Sequence, residues 1–409
     1  MSTRSQMLNL LATREKCFTL PNRFYNDPEF YALDLEGIFY RRWIFAGLEC
    51  EIASPGEYIT LDIGRSSIVV LRDEAGAVRA FFNTCRHRGS RICLAAKGRA
   101  RKLTCPYHQW TYDLDGSLFY AGRMHEEFDP KSISLKPVNV ETVEGLIYVC
   151  TAEQPPSFAP YQDALRPYLL PYDIKAVKLA HSTDLVENAN WKLVVENSRE
   201  CYHCPSRHPE LVKTLFLDYS SPTLESNPGV VEFWEKCRKA GFPSGVEDGE
   251  DFGMSRLRLS VGAVSITVDG KPAVARRLGG APEWSIGTWR WEHFPSMFAH
   301  VFADYVFIFR LLPIGPEQTL VTAKWLVHRD AEEGRDYDLD NLLKVWTLTN
   351  AQDLDLVETN QKGVNSVGYE PGPYSRHSER SVIKFTEWYC ATMLDHLGGG
   401  AMRASELVA

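Results

Sequence analysis

Apolar and polar positions change their period twice along this chain. Residues 1–40 read as helical: Tyr31-Ala-Leu-Asp-Leu-Glu-Gly-Ile-Phe-Tyr40 sets apolar groups at helical spacing behind Asp27-Pro28, a helix-start signal. From about residue 41 the pattern alternates. The stretch GEYITLDIGRSSIVVLRDEAGAVRAFFNTC is broken at Gly64 and at Glu74-Ala75-Gly76, which predicts antiparallel strands. The alternation continues through KLTCPYHQWTYDLDGSLFYA, with Asp115-Gly116 as a hairpin turn, and ends near residues 145–151. Three prolines between Glu153 and Pro160 then mark a domain boundary.

Beyond that boundary the periods mix. Residues 163–170 and 193–203 read as helices, 206–240 as helical pieces, 256–268 and 284–328 as strands, and 335–363 as a long helix. The tail LGGGAMRASELVA is Gly-rich and expected to fray. Three segments follow: 1–40 helical, 41–155 β-rich and 156–409 mixed. A chain of 409 residues suits two cores, since single cores rarely grow past roughly 250–300 residues.

A net charge of −8 without a basic cluster argues against nucleic acid as a partner. No apolar run reaches the length of a membrane span, and the N-terminus lacks the features of a signal peptide. Ten cysteines, unevenly spaced and several beside histidines, favour metal ligation in a reducing compartment over a disulfide framework. The expected location is the cytoplasm.

Two short hooks carry the first candidate chemistry. Cys85-Arg-His87 and Cys105-Pro-Tyr-His108 each offer one thiolate and one imidazole, with seventeen residues between His87 and Cys105. A Rieske [2Fe–2S] centre holds one iron with two cysteines and the other with two histidines. A structural zinc site uses the same residue types, although zinc usually draws C-x₂₋₄-C and H-x₃₋₅-H pairs.

A second dense stretch is Glu200-Cys-Tyr-His203-Cys-Pro-Ser-Arg-His208. On one ideal helix His203 and His208 would lie about 140° apart, but Pro205 prevents such a helix. A break there would let both imidazoles reach one metal. Two histidines and a carboxylate form the facial triad of non-haem Fe(II) oxygenases, while Cys201 and Cys204 keep a zinc or redox reading open. For the third ligand, Asp353 shares a helix face with Leu342, Trp346 and Val357, where an acid is costly unless paired or bound to metal. Asp355 and Glu358 read as exposed.

These strings resemble a known family. CRHRG…CPYHQW is similar to the Rieske domain of ring-hydroxylating and N-demethylating oxygenases, and NWK…ECYHC…HP is similar to their mononuclear-iron segment. The resemblance implies an α+β protein: an antiparallel β Rieske domain and a larger α+β catalytic domain of helix-grip, START-like form, with the N-terminal helical segment 1–40 packed on the catalytic domain. It assigns Cys85, His87, Cys105 and His108 to the cluster, with Tyr107 and Trp110 beside it. It assigns His203, His208 and Asp353 to Fe(II). Glu200 matches the acidic bridge that carries electrons from a neighbouring subunit's cluster, in an oligomer that is commonly a trimer. O₂ is the co-substrate, and electrons come from NAD(P)H through a ferredoxin-reductase-type partner.

Within that family, residues 361–376 and the ECYHC segment look most like the betaine branch, which demethylates glycine betaine or proline betaine (stachydrine) with release of formaldehyde. A quaternary ammonium seeks an aromatic cage. The expected candidates are Trp234, Trp289, Trp291 and Phe294, with Phe233 nearby. Carnitine or choline oxygenation and aromatic-ring dihydroxylation remain open. So does a zinc-stabilised binding protein without redox chemistry.

Overall fold

A computed structural model of the protein describes residues 2–215, 224–281 and 283–398. The chain divides into two compact units, one of residues 1–38 with 159–409 and one of residues 39–158. The first helices are α1 (Thr3–Thr13), α2 (Arg23–Asn26) and α3 (Pro28–Asp34). Asp27 caps α3 by accepting from the amides of Glu29 and Phe30, and Pro28 sits in its first turn. Residues 35–39 continue as a π-helical turn.

The 39–158 unit is built from short antiparallel strands. They are β1 (Ile44–Leu48), β2 (Glu57–Ile63), β3 (Ser66–Arg72), β4 (Val78–Phe82), β5 (Lys97–Arg99), β6 (Leu103–Thr104), β7 (Thr111–Tyr112), β8 (Leu118–Tyr120), β9 (Asn139–Val143) and β10 (Leu146–Cys150). They form sheets ordered β1-β10-β9, β4-β3-β2-β5 and β6-β7-β8. Val69, Leu71, Phe81, Leu103, Tyr112 and Leu118 pack around the buried Cys85 and Cys105. The Asp115-Gly116 turn lies between β7 and β8, with Gly116 at φ 90°, a conformation that favours glycine.

The larger unit continues with α4 (Ala159–Leu169), β11 (Val177–Glu187), α5 (Trp191–Ser198), α6 (Cys204–Arg207) and α7 (Pro228–Lys239). Then come β12 (Val246–Asp248), β13 (Phe252–Leu257), β14 (Thr288–His293), β15 (Met297–Val301), β16 (Tyr305–Gly315), β17 (Gln318–His328), α8 (Leu339–Val364) and α9 (Arg380–His396). All seven strands join one antiparallel sheet in the order β11-β17-β16-β15-β14-β13-β12. Helix α8 packs its apolar stripe on this sheet. Trp346 stacks on Phe307 at 4.1 Å and donates its indole N–H to the Tyr305 hydroxyl. Stacked aromatic pairs of this kind add about 0.5–1.5 kcal/mol to the area they bury.

The fold is therefore α+β, with an antiparallel β unit and a larger helix-and-sheet unit. Several local expectations change. The strand expected over 256–268 stops at Leu257, and 258–268 runs as turns and bends. The helix expected over 193–203 ends at Ser198. Strand β11 and helix α9 had no counterpart in the sequence reading. Most of the Gly-rich tail lies outside the described residues.

Candidate active site

In the β unit the two hooks fold alike. The Cys85 amide donates to the Ser90 carbonyl (2.8 Å) and the Gly89 amide to the Cys85 carbonyl (2.9 Å). Likewise the Cys105 amide donates to the Trp110 carbonyl (2.8 Å) and the Gln109 amide to the Cys105 carbonyl (3.1 Å). Each turn closes through a left-handed residue, Gly89 at φ 81° and Gln109 at φ 60°. Both cysteines point into the core and both histidines lie at the surface. The imidazoles of His87 and His108 are 4.6 Å apart, with Trp110 stacked on His87 at 4.8 Å and Tyr107 on His108 at 3.8 Å. Cys85 Sγ lies 3.3 Å from the Tyr112 hydroxyl. Inward thiols and outward imidazoles on matched turns fit a two-iron cluster with one histidine-ligated iron near solvent.

In the larger unit, the break after α5 brings the second set together. Arg199 to His203 is non-helical, and α6 starts afresh with Pro205 in its first turn, which leaves His203 and His208 at its two ends. Their Nε2 atoms are 3.0 Å apart. Asp353, on α8, sets Oδ1 3.1 Å from His208 Nε2 and 3.3 Å from His203 Nε2. Ligands at right angles on a metal with bonds of about 2.1 Å stand about 3 Å apart, so the three atoms span one face of an octahedron.

The outer contacts decide which imidazole nitrogen faces inward. Glu200 Oε1 lies 2.5 Å from His203 Nδ1, and Gln352 Oε1 lies 2.7 Å from His208 Nδ1. Both acceptors require an N–H at Nδ1 and leave the Nε2 lone pairs directed at Asp353. Asp353 Oδ1 is buried and takes no hydrogen bond. Three lone-pair donors meeting at such distances call for a cation. Without metal, a proton fills part of that role: burial opposes a charge on His203, but Asp353 and Glu200 outweigh it and hold its pKa at about 9. The same histidines lower the Asp353 pKa against the effect of its burial. Cys204 Sγ is also near, 3.9 Å from His203 Nε2, but it is bonded to Cys201, and the carboxylate is closer to both rings.

A cavity of about 80 Å³ opens beside these donors. Its walls come from α8 (Trp346, Thr349, Asn350, Asp353), from α5 (Val194, Asn197, Ser198), and from the sheet. Trp346, Thr349, Asn350 and Asp353 follow the i, i+3, i+4, i+7 spacing of one helix face. Asp355 is exposed and paired with Arg207, and Glu358 bonds Asn188.

The four expected cage aromatics, Trp234, Trp289, Trp291 and Phe294, do not line this cavity. Arg290 on β14 lines the cavity, so its strand neighbours Trp289 and Trp291 face the opposite side of the sheet. Trp289 stacks on Tyr168 at 3.7 Å. Trp234 packs with Leu224, Val230 and Leu257 and donates to the Arg256 carbonyl. Phe294 packs on Phe385 and Trp388. The aromatics at the cavity are Phe298, Phe309 and Trp346. Sequence reasoning also missed Gln352, because nothing in a single sequence separates it from any other polar helix residue.

The ring-hydroxylating alpha subunit catalytic domain family matches residues 174–395, and the Rieske [2Fe–2S] domain family matches residues 42–138. The chain belongs to the Rieske oxygenases. A Rieske oxygenase is an oxidoreductase that works with a [2Fe–2S] cluster and a mononuclear non-haem iron, so the zinc-stabilised binding protein is set aside. Among curated relatives, this oxygenase is 44% identical to the glycine betaine monooxygenase oxygenase subunit of Chromohalobacter salexigens, over 98% of this chain and 91% of that one. It is 30% identical to the carnitine monooxygenase oxygenase subunit of Acinetobacter baumannii, over 91% and 92% of the two chains. A solved quaternary ammonium Rieske monooxygenase shares the fold at TM-score 0.74 and 24% identity, over 94% of this chain and 98% of that one. Naphthalene 1,2-dioxygenase from Rhodococcus shares it at 0.73 and 21%, over 96% and 98%. Among the described residues, no helix is long and apolar enough to cross a membrane.

Proposed function

We propose that this Rieske oxygenase hydroxylates an N-methyl group of a small betaine, glycine betaine or proline betaine (stachydrine). The observation that carries this reading is the 43–44% identity, over 97–98% of the chain, to glycine betaine monooxygenase oxygenase subunits. The cavity supports it, being well below the roughly 300 Å³ of a drug-sized pocket and walled by aromatic and charged side chains together.

In this reading Cys85, His87, Cys105 and His108 hold the cluster, and His203, His208 and Asp353 hold Fe(II). When bound, the iron supplies the activation of O₂. Gln352 and Glu200 fix the two imidazoles by accepting their Nδ1 protons. Phe298, Phe309 and Trp346 offer π faces to a trimethylammonium group. Glu200 also accepts from His108 of the partner subunit, which joins the cluster of one chain to the iron of the next in a homotrimer. Electrons from NAD(P)H enter through a ferredoxin-reductase-type partner. Overall, R₃N⁺–CH₃ + O₂ + 2e⁻ + 2H⁺ gives R₃N⁺–CH₂OH and water, and the hydroxymethyl group leaves as formaldehyde.

The test is a turnover screen with reductase, NAD(P)H and O₂ across glycine betaine, proline betaine, carnitine, choline and simple arenes. Formaldehyde from the two betaines is the expected result. Arene diols without formaldehyde would overturn the reading.

A further inference from the structure

One charged group in the cavity has no part in the arrangement described so far. Glu187 ends β11, is 4% exposed, and lines the cavity with His203, His208 and Asp353. Its Oε2 is buried and takes no hydrogen bond. A buried carboxyl without a partner is costly unless a proton or a cation neutralises it. Burial, reinforced by Asp353 and Glu358, accordingly pushes this carboxyl up to about 8. The surrounding wall is apolar on several sides, with Val194, Phe309 and Leu311 lining the same space.

Glu187 stands on the edge strand β11, and Arg290 stands on β14, four strands away in the sheet order, where its guanidinium pairs with the buried Glu292 at 3.0 Å. Asp353 is the charged group that raises Glu187 most, which sets Glu187 close to the three donors. Arg290 and the buried His300, kept neutral by burial and by Arg290, line the wall further across the sheet.

We propose that Glu187 is the substrate-cation residue of the active site, its carboxylate facing the quaternary nitrogen. The proposal rests on the betaine reading above and deepens it. A quaternary nitrogen has no N–H and spreads its charge over the attached methyl groups. It therefore suits a carboxylate oxygen that has no hydrogen-bond donor, and in a dry cavity the Coulomb attraction is strong. Phe298 and Phe309, stacked at 4.8 Å, add a π surface for the same group. With the nitrogen against Glu187, an N-methyl group is turned toward His203, His208 and Asp353, where the oxidation must occur.

The experiment compares glycine betaine with 3,3-dimethylbutyrate, which keeps the carboxylate and puts an uncharged tert-butyl group in place of the trimethylammonium, by equilibrium binding to the iron-loaded, cluster-containing oxygenase without reductase. Wild type should prefer the betaine. Glu187→Gln should lose betaine affinity by roughly 30-fold or more, as when one partner of a buried charge pair is removed, while dimethylbutyrate binds as before. Iron content and cluster colour should stay at wild-type levels. An unchanged preference in Glu187→Gln, or loss of its iron, overturns the proposal alone. A wild type that binds the betaine no better than the isostere overturns the betaine reading, and the proposal with it. Should Glu187→Gln fail to fold, Glu187→Asp keeps the charge and draws it back by one methylene. Weaker betaine binding with dimethylbutyrate unchanged then supports the proposal, and equal loss of both ligands overturns it.

Discussion

Glu200 and Asp353 act on the same imidazole from opposite sides, and their substitutions should separate. Glu200 bonds His203 at Nδ1, away from the metal position, so Glu200→Gln should keep both metals yet reduce coupled turnover to a few per cent or less. Asp353 supplies a donor at the metal position itself, so Asp353→Ala should lose mononuclear iron and keep the cluster's visible spectrum. Iron analysis beside the spectrum checks both variants. A titration tests a third carboxyl. Burial raises Glu196 to about 7, against the hydrogen bonds from Tyr25 and Tyr374 that lower it. Between about 4.5 and 7 the folded protein keeps a proton that the unfolded chain has released, so its contribution to stability falls as pH rises through that window. Glu196→Gln removes this slope. Relative to wild type it should gain on the order of 3 kcal/mol between pH 5 and pH 8, measured by chemical denaturation at both. The ligand-type residues were legible because cysteine and histidine are rare and their spacings distinctive. Glu187, Glu196 and Gln352 were not, since burial and aim decide their roles.

At the scale of elements, the decisive feature is which face a residue takes. The alternation on β14 sends Arg290 to the cavity and Trp289 and Trp291 away from it, which aromatic content alone does not reveal. Helix α8 was readable because its period of 3.6 survives over twenty-six residues and its acid falls on the buried stripe. Strand β11 was hidden because most of its residues are only partly buried or exposed, which leaves little alternation to detect. The run 256–268 carries strand-like residues, yet beyond Leu257 it is held by local backbone and side-chain bonds instead of a ladder, the Ser260 amide donating to the Thr214 carbonyl and the Val264 amide to the Gly270 carbonyl. Asp304 accepts from the Ser265 hydroxyl and from the amides of Ala273 and Val274, and burial raises its carboxyl to about 6. Asp304→Ala would leave three buried donors unpaired and should cost about 3 kcal/mol or more, seen as a lower denaturation midpoint.

At the scale of the whole molecule, the N-terminal helices belong to the catalytic unit although the β unit separates them in sequence. Asp34 is the tie: fully buried, it accepts from Lys192 Nζ, the Trp191 indole and the Tyr389 hydroxyl, on α5 and α9. Asp34→Ala strands the Lys192 charge and should destabilise this unit by about 3–5 kcal/mol, with a correspondingly lower Tm. The break near Glu153–Pro160 was visible from its prolines. The packing of residues 1–38 on the far side of that break, expected from the family resemblance, is held by such long-range partners, which local periodicity does not encode. Belonging to the Rieske oxygenases settles the chemistry available to the chain, and the direction of that chemistry is the central claim. The most direct check is the product balance with glycine betaine as sole substrate, in the presence of reductase and NAD(P)H. The account predicts one formaldehyde and one dimethylglycine per O₂ consumed. Oxygen uptake that yields neither product would contradict it.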